Sequence, residues 1–170
     1  MPAEQPAESG TGLQLRIDLS RQRLRLLQAD ALLAEYPVST ARYGIGEIVG
    51  SGMTPRGLHR VRAKIGAGAP IDSVFRGRRA TGEIWSPTLH AQFPRRDWIL
   101  SRILWLSGLE RGRNRLGCVD TFRRYIYLHG TPASEPLGVP GSHGCIRMAS
   151  ADIIDLYERV PVGTHVLLHE

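Results

Sequence analysis

The chain has 170 residues, 42% of them hydrophobic, and a formal net charge of +6. That length fits one domain with its own core, and no run approaches the ~20 apolar residues of a membrane-crossing helix. Lys64 is the only lysine, so nearly all of the positive charge is arginine, and the arginines fall in short pairs such as Arg78-Arg79 and Arg95-Arg96. They form no long basic block and no nucleic-acid motif, so the charge reads as solvated surface with some attraction for carboxylate-rich peptides.

Residues 1–12 are polar and rich in Pro, Glu and Gly, and read as a disordered tail ahead of a domain over 13–170. The N-terminus shows neither the positive region nor the apolar region of a signal peptide. Strand patterns then follow one another. Leu13 to Leu19 alternates, Arg23 to Leu27 alternates again, and Ala31 to Val38 completes an antiparallel meander. Residues 39–57 carry five glycines but no Gly-Lys-Ser/Thr, so they read as a surface loop beside the cleft rather than a phosphate cradle. Leu58 to Lys64 is a strand. Residues 65–97 have few periodic apolar positions and read as long loops. Trp98 to Leu106 is read as a strand paired with Val119 to Leu128. Ser150 caps a predicted helix over 151–160, and Thr164 to Leu168 closes the domain. The predicted fold is mainly β, two packed sheets or a flattened barrel, with a helix after the cysteine segment.

The chemistry concentrates in Tyr125 to Met148. A thiol attacks only as thiolate and needs a base or a positive charge beside it. His129 ends the alternating run Tyr125-Ile126-Tyr127-Leu128, which orients it well as a base for Cys145. His143, two residues before the cysteine, faces the same way only if its segment is extended. The loop between them holds Pro132, Pro136, Gly138, Pro140 and Gly141 and can fold back. Amides around Gly144 and Cys145 can point at a developing oxyanion. Plainer readings stand beside this one: a lone cysteine is commonly a small buried hydrophobe, and Cys118, His129, His143 and Cys145 are all metal-capable, although their spacing is not that of a common zinc module. Cys118 reads as a free structural thiol.

The segment His129-Gly130, then Ser142-His143-Gly144-Cys145-Ile146-Arg147, resembles the L,D-transpeptidase catalytic domain (YkuD-like) family, and Thr54-Pro55-Arg56-Gly57 looks like that family's Thr-Pro-x-Gly turn. The resemblance runs through most of the chain after about Leu13. It implies a cysteine acyl-transfer enzyme acting on peptidoglycan stem peptides, with Cys145 as nucleophile, His129 as base and the carbonyl of Gly130 orienting that base. It implies an oxyanion and substrate side drawn from Tyr127, Ser142, His143, Gly144 and Arg147. It implies too that part of residues 65–97, with Trp85, packs over the cleft. It implies no cofactor and no metal, a tetrapeptide stem or muropeptide as partner, and no nucleic acid or membrane. The chain is expected to act as a monomer. The start MPAEQPAESG leads to the expectation of a cytoplasmic L,D-carboxypeptidase that uses water to remove the terminal D-Ala. The alternatives are a periplasmic enzyme whose leader is missing and an exported transpeptidase that forms 3–3 cross-links.

Overall fold

The computed structural model describes residues 12–170, so the tail expected over 1–12 lies, Gly12 apart, outside the described residues. Strands β1 (Leu13–Asp18), β2 (Arg23–Gln28) and β3 (Ala31–Pro37) form the expected antiparallel meander. The last strand, β10 (His165–His169), pairs with β1 in parallel and with β4 (Gly57–Ile65) antiparallel, which stitches the two ends of the domain together. From β4 the sheet continues to β7 (Ile99–Gly108) and on to β5 (Ser73–Arg76) and β6 (Arg79–Ile84). β4 and β5 share one edge of β7, and β8 (Tyr127–Thr131) takes the other, followed in parallel by β9 (Ile146–Ala149). The fold is mainly β, one curled ten-stranded sheet with a helix late in the chain.

That helix, α2 (Ser150–Arg159), buries Ile153, Leu156 and Tyr157 on the face that packs over β7 and β8. Leu15, Leu24, Leu104, Leu128, Ile146 and Met148 belong to the same apolar cluster, each 0% exposed. Each such side chain contributes roughly 1.5–3 kcal/mol on leaving water.

Four sequence expectations change. Residues 65–97 are not all loop: they hold the β5–β6 hairpin and a one-and-a-half-turn helix, α1 (Pro87–Gln92). β6 reads Arg-Ala-Thr-Gly-Glu-Ile and lies almost wholly in solvent, so it has no apolar alternation to display. Ser86 capping and Pro87 opening α1 were the available signal. Trp85 packs beside Val74, Trp98 and Leu100 with its indole N–H on His90 Nδ1, and it does not line the cavity that holds Cys145 and His129. The partner of β7 begins only at Tyr127, because Asp120 accepts the amides of Leu116 and Arg123 and closes turns where a strand was expected. Finally, Ser150 does not cap α2. Ala149 stands at that position, and the Ser150 hydroxyl donates to Asp72 (2.7 Å) and accepts from Ser101 (2.8 Å).

Candidate active site

β8 and β9 run side by side in register, Leu128 against Ile146 and His129 against Arg147. Alternation along each strand sends Leu128, Ile146 and Met148 into the core. The intervening positions, Tyr127, His129, Cys145 and Arg147, then share the opposite face, where all four line one cavity of about 300 Å³. Residues 132–145 join the two parallel strands, a connection long enough for the crossover that parallel pairing needs.

His129 lies inside β8 rather than at its end, and it is 1% exposed. Its Nδ1 is 2.7 Å from the carbonyl oxygen of Gly130. A carbonyl only accepts, so Nδ1 carries the proton and Nε2 keeps its lone pair. Nε2 makes no hydrogen bond among the described residues. Gly130 has a steric reason to follow this histidine: a Cβ there would sit 2.6 Å from the carbonyl oxygen of Leu100. That crowding arises where β7 bulges between Leu100 and Ile103, with Ser101 at φ +72°.

Cys145 is half-buried, packed against the cluster of Phe75, Ile103 and Tyr127. Its Sγ accepts the Tyr127 amide (3.3 Å) and donates to the Tyr125 carbonyl (3.3 Å). Burial pushes the thiol up to about 12; the Tyr127 amide opposes this and the Asp97 carboxylate adds to it. Burial also pulls His129 below the ordinary histidine value, with Asp97 and the Gly130 carbonyl opposing. Both shifts favour the uncharged forms of the two side chains.

The remaining expected site residues fall into two groups. Ser142 is buried and turned inward, its hydroxyl donating to the Cys145 carbonyl (2.6 Å) and accepting from the Gly144 amide (3.1 Å). The Gly144 amide is therefore already engaged, and the amides of His143 and Cys145 are the ones without a hydrogen bond among the described residues. Gly144 itself stands at φ +133°, a conformation that favours glycine. The His143 ring is at the rim, its Nδ1 3.8 Å from Asp97. Arg147 is tied to the Gly141 carbonyl (3.2 Å), Asp97 (3.3 Å) and Glu135 (3.8 Å), so it fastens the return loop to the site. Cys118 is an exposed free thiol, and is not among the residues lining the cavity. No group of three or more metal-capable side chains occurs among the described residues.

Thr54 supplies a support that its sequence position alone does not reveal. Wholly buried, its hydroxyl accepts from the Ala41 amide (2.9 Å) and donates to the Gly144 carbonyl (2.9 Å). In a planar trans peptide the C=O and the next N–H point in opposite directions. Holding the Gly144 oxygen thus turns the Cys145 N–H away from Thr54. The adjoining loop is tied down by Arg124, which donates to the carbonyls of Gly46 and Met53.

A family model described as the L,D-transpeptidase catalytic domain matches residues 14–168. The chain belongs to that family. The probable L,D-transpeptidase YbiS of Escherichia coli K12 is 33% identical over 107 residues, which are 61% of this chain and 34% of that protein. The chain thus spans about a third of the length of the curated relatives it matches. Among solved structures, the L,D-transpeptidase of Xylanimonas cellulosilytica superposes with a TM-score of 0.53 at 22% identity, covering 96% of this chain and 63% of that one. L,D-transpeptidase 3 of Mycobacterium tuberculosis, solved with a faropenem-derived adduct, gives 0.58 at 17% identity, covering 94% and 60%. At those identities the two structures bear on the fold of this L,D-transpeptidase domain.

Proposed function

We propose that this L,D-transpeptidase-family enzyme cleaves the bond before the terminal D-Ala of peptidoglycan tetrapeptide stems through a thioester on Cys145. The observation that carries the reading is a cysteine and a histidine on one cavity, the histidine Nδ1 held by the Gly130 carbonyl and its Nε2 left without a partner. The thiol sulfur attacks the scissile carbonyl carbon and its proton passes to His129 Nε2. The free amides of His143 and Cys145 take the developing oxyanion. Collapse expels D-Ala, whose nitrogen recovers the proton from His129. An acceptor then attacks the thioester and releases Cys145.

Water is the acceptor in the reading we favour. Once D-Ala departs, a cavity of about 300 Å³ at the sulfur has room for water, whose share of the liquid is about 30 Å³. The enzyme then acts as an L,D-carboxypeptidase that trims recycled muropeptides, a task belonging to the cytoplasm. A second reading, transfer to a stem amine with 3–3 cross-linking outside the cell, draws support from a neighbouring hollow of about 720 Å³ that shares Phe75 and Asp97 with the cavity.

Mass spectrometry of purified tetrapeptide muropeptide incubated with the protein separates the two. Free D-Ala and tripeptide stems in equal amounts are expected. Cross-linked dimers exceeding tripeptide would replace the carboxypeptidase with the transpeptidase, and an unchanged substrate would end both. Cell fractionation tests the compartment.

A further inference from the structure

Three arginines line the catalytic cavity: Arg78, Arg124 and Arg147. Two of them are engaged with the protein. Arg147 holds Asp97, Glu135 and the Gly141 carbonyl, and Arg124 holds the carbonyls of Gly46 and Met53 together with Ser51 Oγ. Arg78 differs. Its only hydrogen bond among the described residues runs from Nη1 to the Tyr127 hydroxyl (3.1 Å), and it forms no ion pair there. A guanidinium has five N–H donors in a fixed fork, so most of this one is free to meet a ligand.

The cation is nevertheless held in place. Its Cζ lies 4.5 Å from the centre of the Tyr125 ring and 5.2 Å from that of Trp105, within cation–π range of both. The same two tyrosines hold the nucleophile, Tyr127 through its amide and Tyr125 through its carbonyl. Arg78 and the sulfur are thus positioned by one pair of residues. The backbone is also unusual there. Gly77 (φ +53°) and Arg78 (φ +65°) form the two-residue loop of the β5–β6 hairpin, between the paired Arg76 and Arg79. Such a loop calls for Asn, Asp or Gly, and a left-handed non-glycine residue costs about 1–2 kcal/mol. Tyr125 stands at φ +56°, again left-handed and bulky. Two left-handed residues in contact with each other at the cavity point to a task beyond turn formation.

We infer that Arg78 is the carboxylate anchor of the donor subsite and binds the terminal carboxylate of the residue that is released. The inference rests on the proposed reaction, because it takes the stem peptide as substrate. That carboxylate lies one residue beyond the attacked carbonyl, roughly 4 Å further along the chain. It therefore falls within reach of a side chain seated on the two residues that hold the sulfur. A planar guanidinium meets a carboxylate through two parallel hydrogen bonds. The anchor makes a free C-terminus a requirement of the donor.

The test compares wild type, Arg78→Met and Arg78→Lys on three substrates: the tetrapeptide stem as free acid, its terminal amide, and the stem amidated on the side-centre carboxylate of its diamino acid. Iodoacetamide alkylation of Cys145, a neutral probe, checks that each variant keeps its site. Arg78→Met is expected to lower kcat/KM about ten- to a hundredfold on the free acid and less than about twofold on the terminal amide, with part of the loss restored in Arg78→Lys. Equal losses on acid and amide, or no loss on either, would overturn the anchor. Coupling to the side-centre amide instead would move the bound carboxylate to that group and overturn the terminal assignment. If wild type turns over no stem peptide, the proposed reaction falls while the subsite is still decided by protection. Free-acid tetrapeptide that slows alkylation of wild type but not of Arg78→Met upholds the subsite, and equal protection of both refutes it.

Discussion

The two buried histidines of the sheet, His59 on β4 and His129 on β8, share half of their environment and differ in the other half. Each has Nδ1 on a backbone carbonyl, that of Gly57 (3.0 Å) or Gly130 (2.7 Å), and each is pulled below the ordinary histidine value chiefly by burial. The Nε2 of His59 is closed by the hydroxyl of buried Thr121 (2.8 Å), whereas that of His129 faces a cavity shared with a thiol. Burial and a lowered pKa are therefore common to both histidines. What separates them is the ring nitrogen that the fold leaves without a partner. The two cysteines differ likewise: exposed Cys118 does not line the cavity, while half-buried Cys145 does and its Sγ accepts the Tyr127 amide.

The largest expected effect separates the cysteines. Cys145→Ala is expected to lower D-Ala release by ~10⁴-fold or more with the fold retained, as read by muropeptide assay and circular dichroism. Cys118→Ser is expected to stay within about twofold of wild type, as is usual for an exposed side chain away from a site. Next come the histidines. His129→Ala is expected to cost about 10²–10⁴-fold in acylation and less stability than His59→Ala, because only the Gly130 carbonyl loses a partner. His59→Ala is expected to do the opposite, costing about 2–4 kcal/mol of stability as Thr121 and the Gly57 carbonyl lose their partner, with acylation of the folded fraction unchanged. A denaturant melt and an intact-mass acylation assay, run on both variants, read the two axes separately.

His59 also yields a stability window in pH. Its folded value is lowered to about 4, against an ordinary 6.5. Between those values the unfolded chain binds the proton and the folded chain does not, so stability rises with pH across the window. The contribution is complete above pH 6.5 and is lost as pH falls towards 4, roughly 3 kcal/mol in all. Urea midpoints measured from pH 7 down to 4 are expected to fall more steeply in wild type than in His59→Gln. Parallel curves would remove His59 from the account. A smaller effect is expected of Thr54→Val, about fivefold in D-Ala release, since the Gly144 carbonyl loses one hydrogen bond of about 1 kcal/mol. A time course of D-Ala release checks it.

Much of this was legible in the chain, for physical reasons. Alternation identified β1 to β4, and Ser142-His143-Gly144-Cys145-Ile146-Arg147 with His129-Gly130 pointed to the candidate site, whose residues meet at one cavity, because a half-buried strand must alternate and a crowded backbone must carry glycine. The missed elements left no such trace. β6 buries almost nothing, and the turns before Tyr127 depend on a single carboxylate, Asp120. Ser150 looks like a cap locally, yet its partners Asp72 and Ser101 are 78 and 49 positions away. Arg78 is equally nonlocal, since the residues that hold it, Trp105, Tyr125 and Tyr127, come from beyond the hairpin that presents it.

The most direct measurement of the central claim is the pH dependence of D-Ala release from the tetrapeptide stem in wild type and His129→Ala. With a thiol at about 12 and a histidine below its ordinary value, the account predicts a wild-type rate that holds through pH 6.5 and declines only at lower pH. His129→Ala is predicted to be slow at neutral pH and to quicken only as the solution becomes alkaline enough to ionise the thiol. A wild-type decline already centred above pH 6.5, or a variant as fast as wild type at pH 7, would contradict a neutral imidazole taking its proton from a neutral thiol.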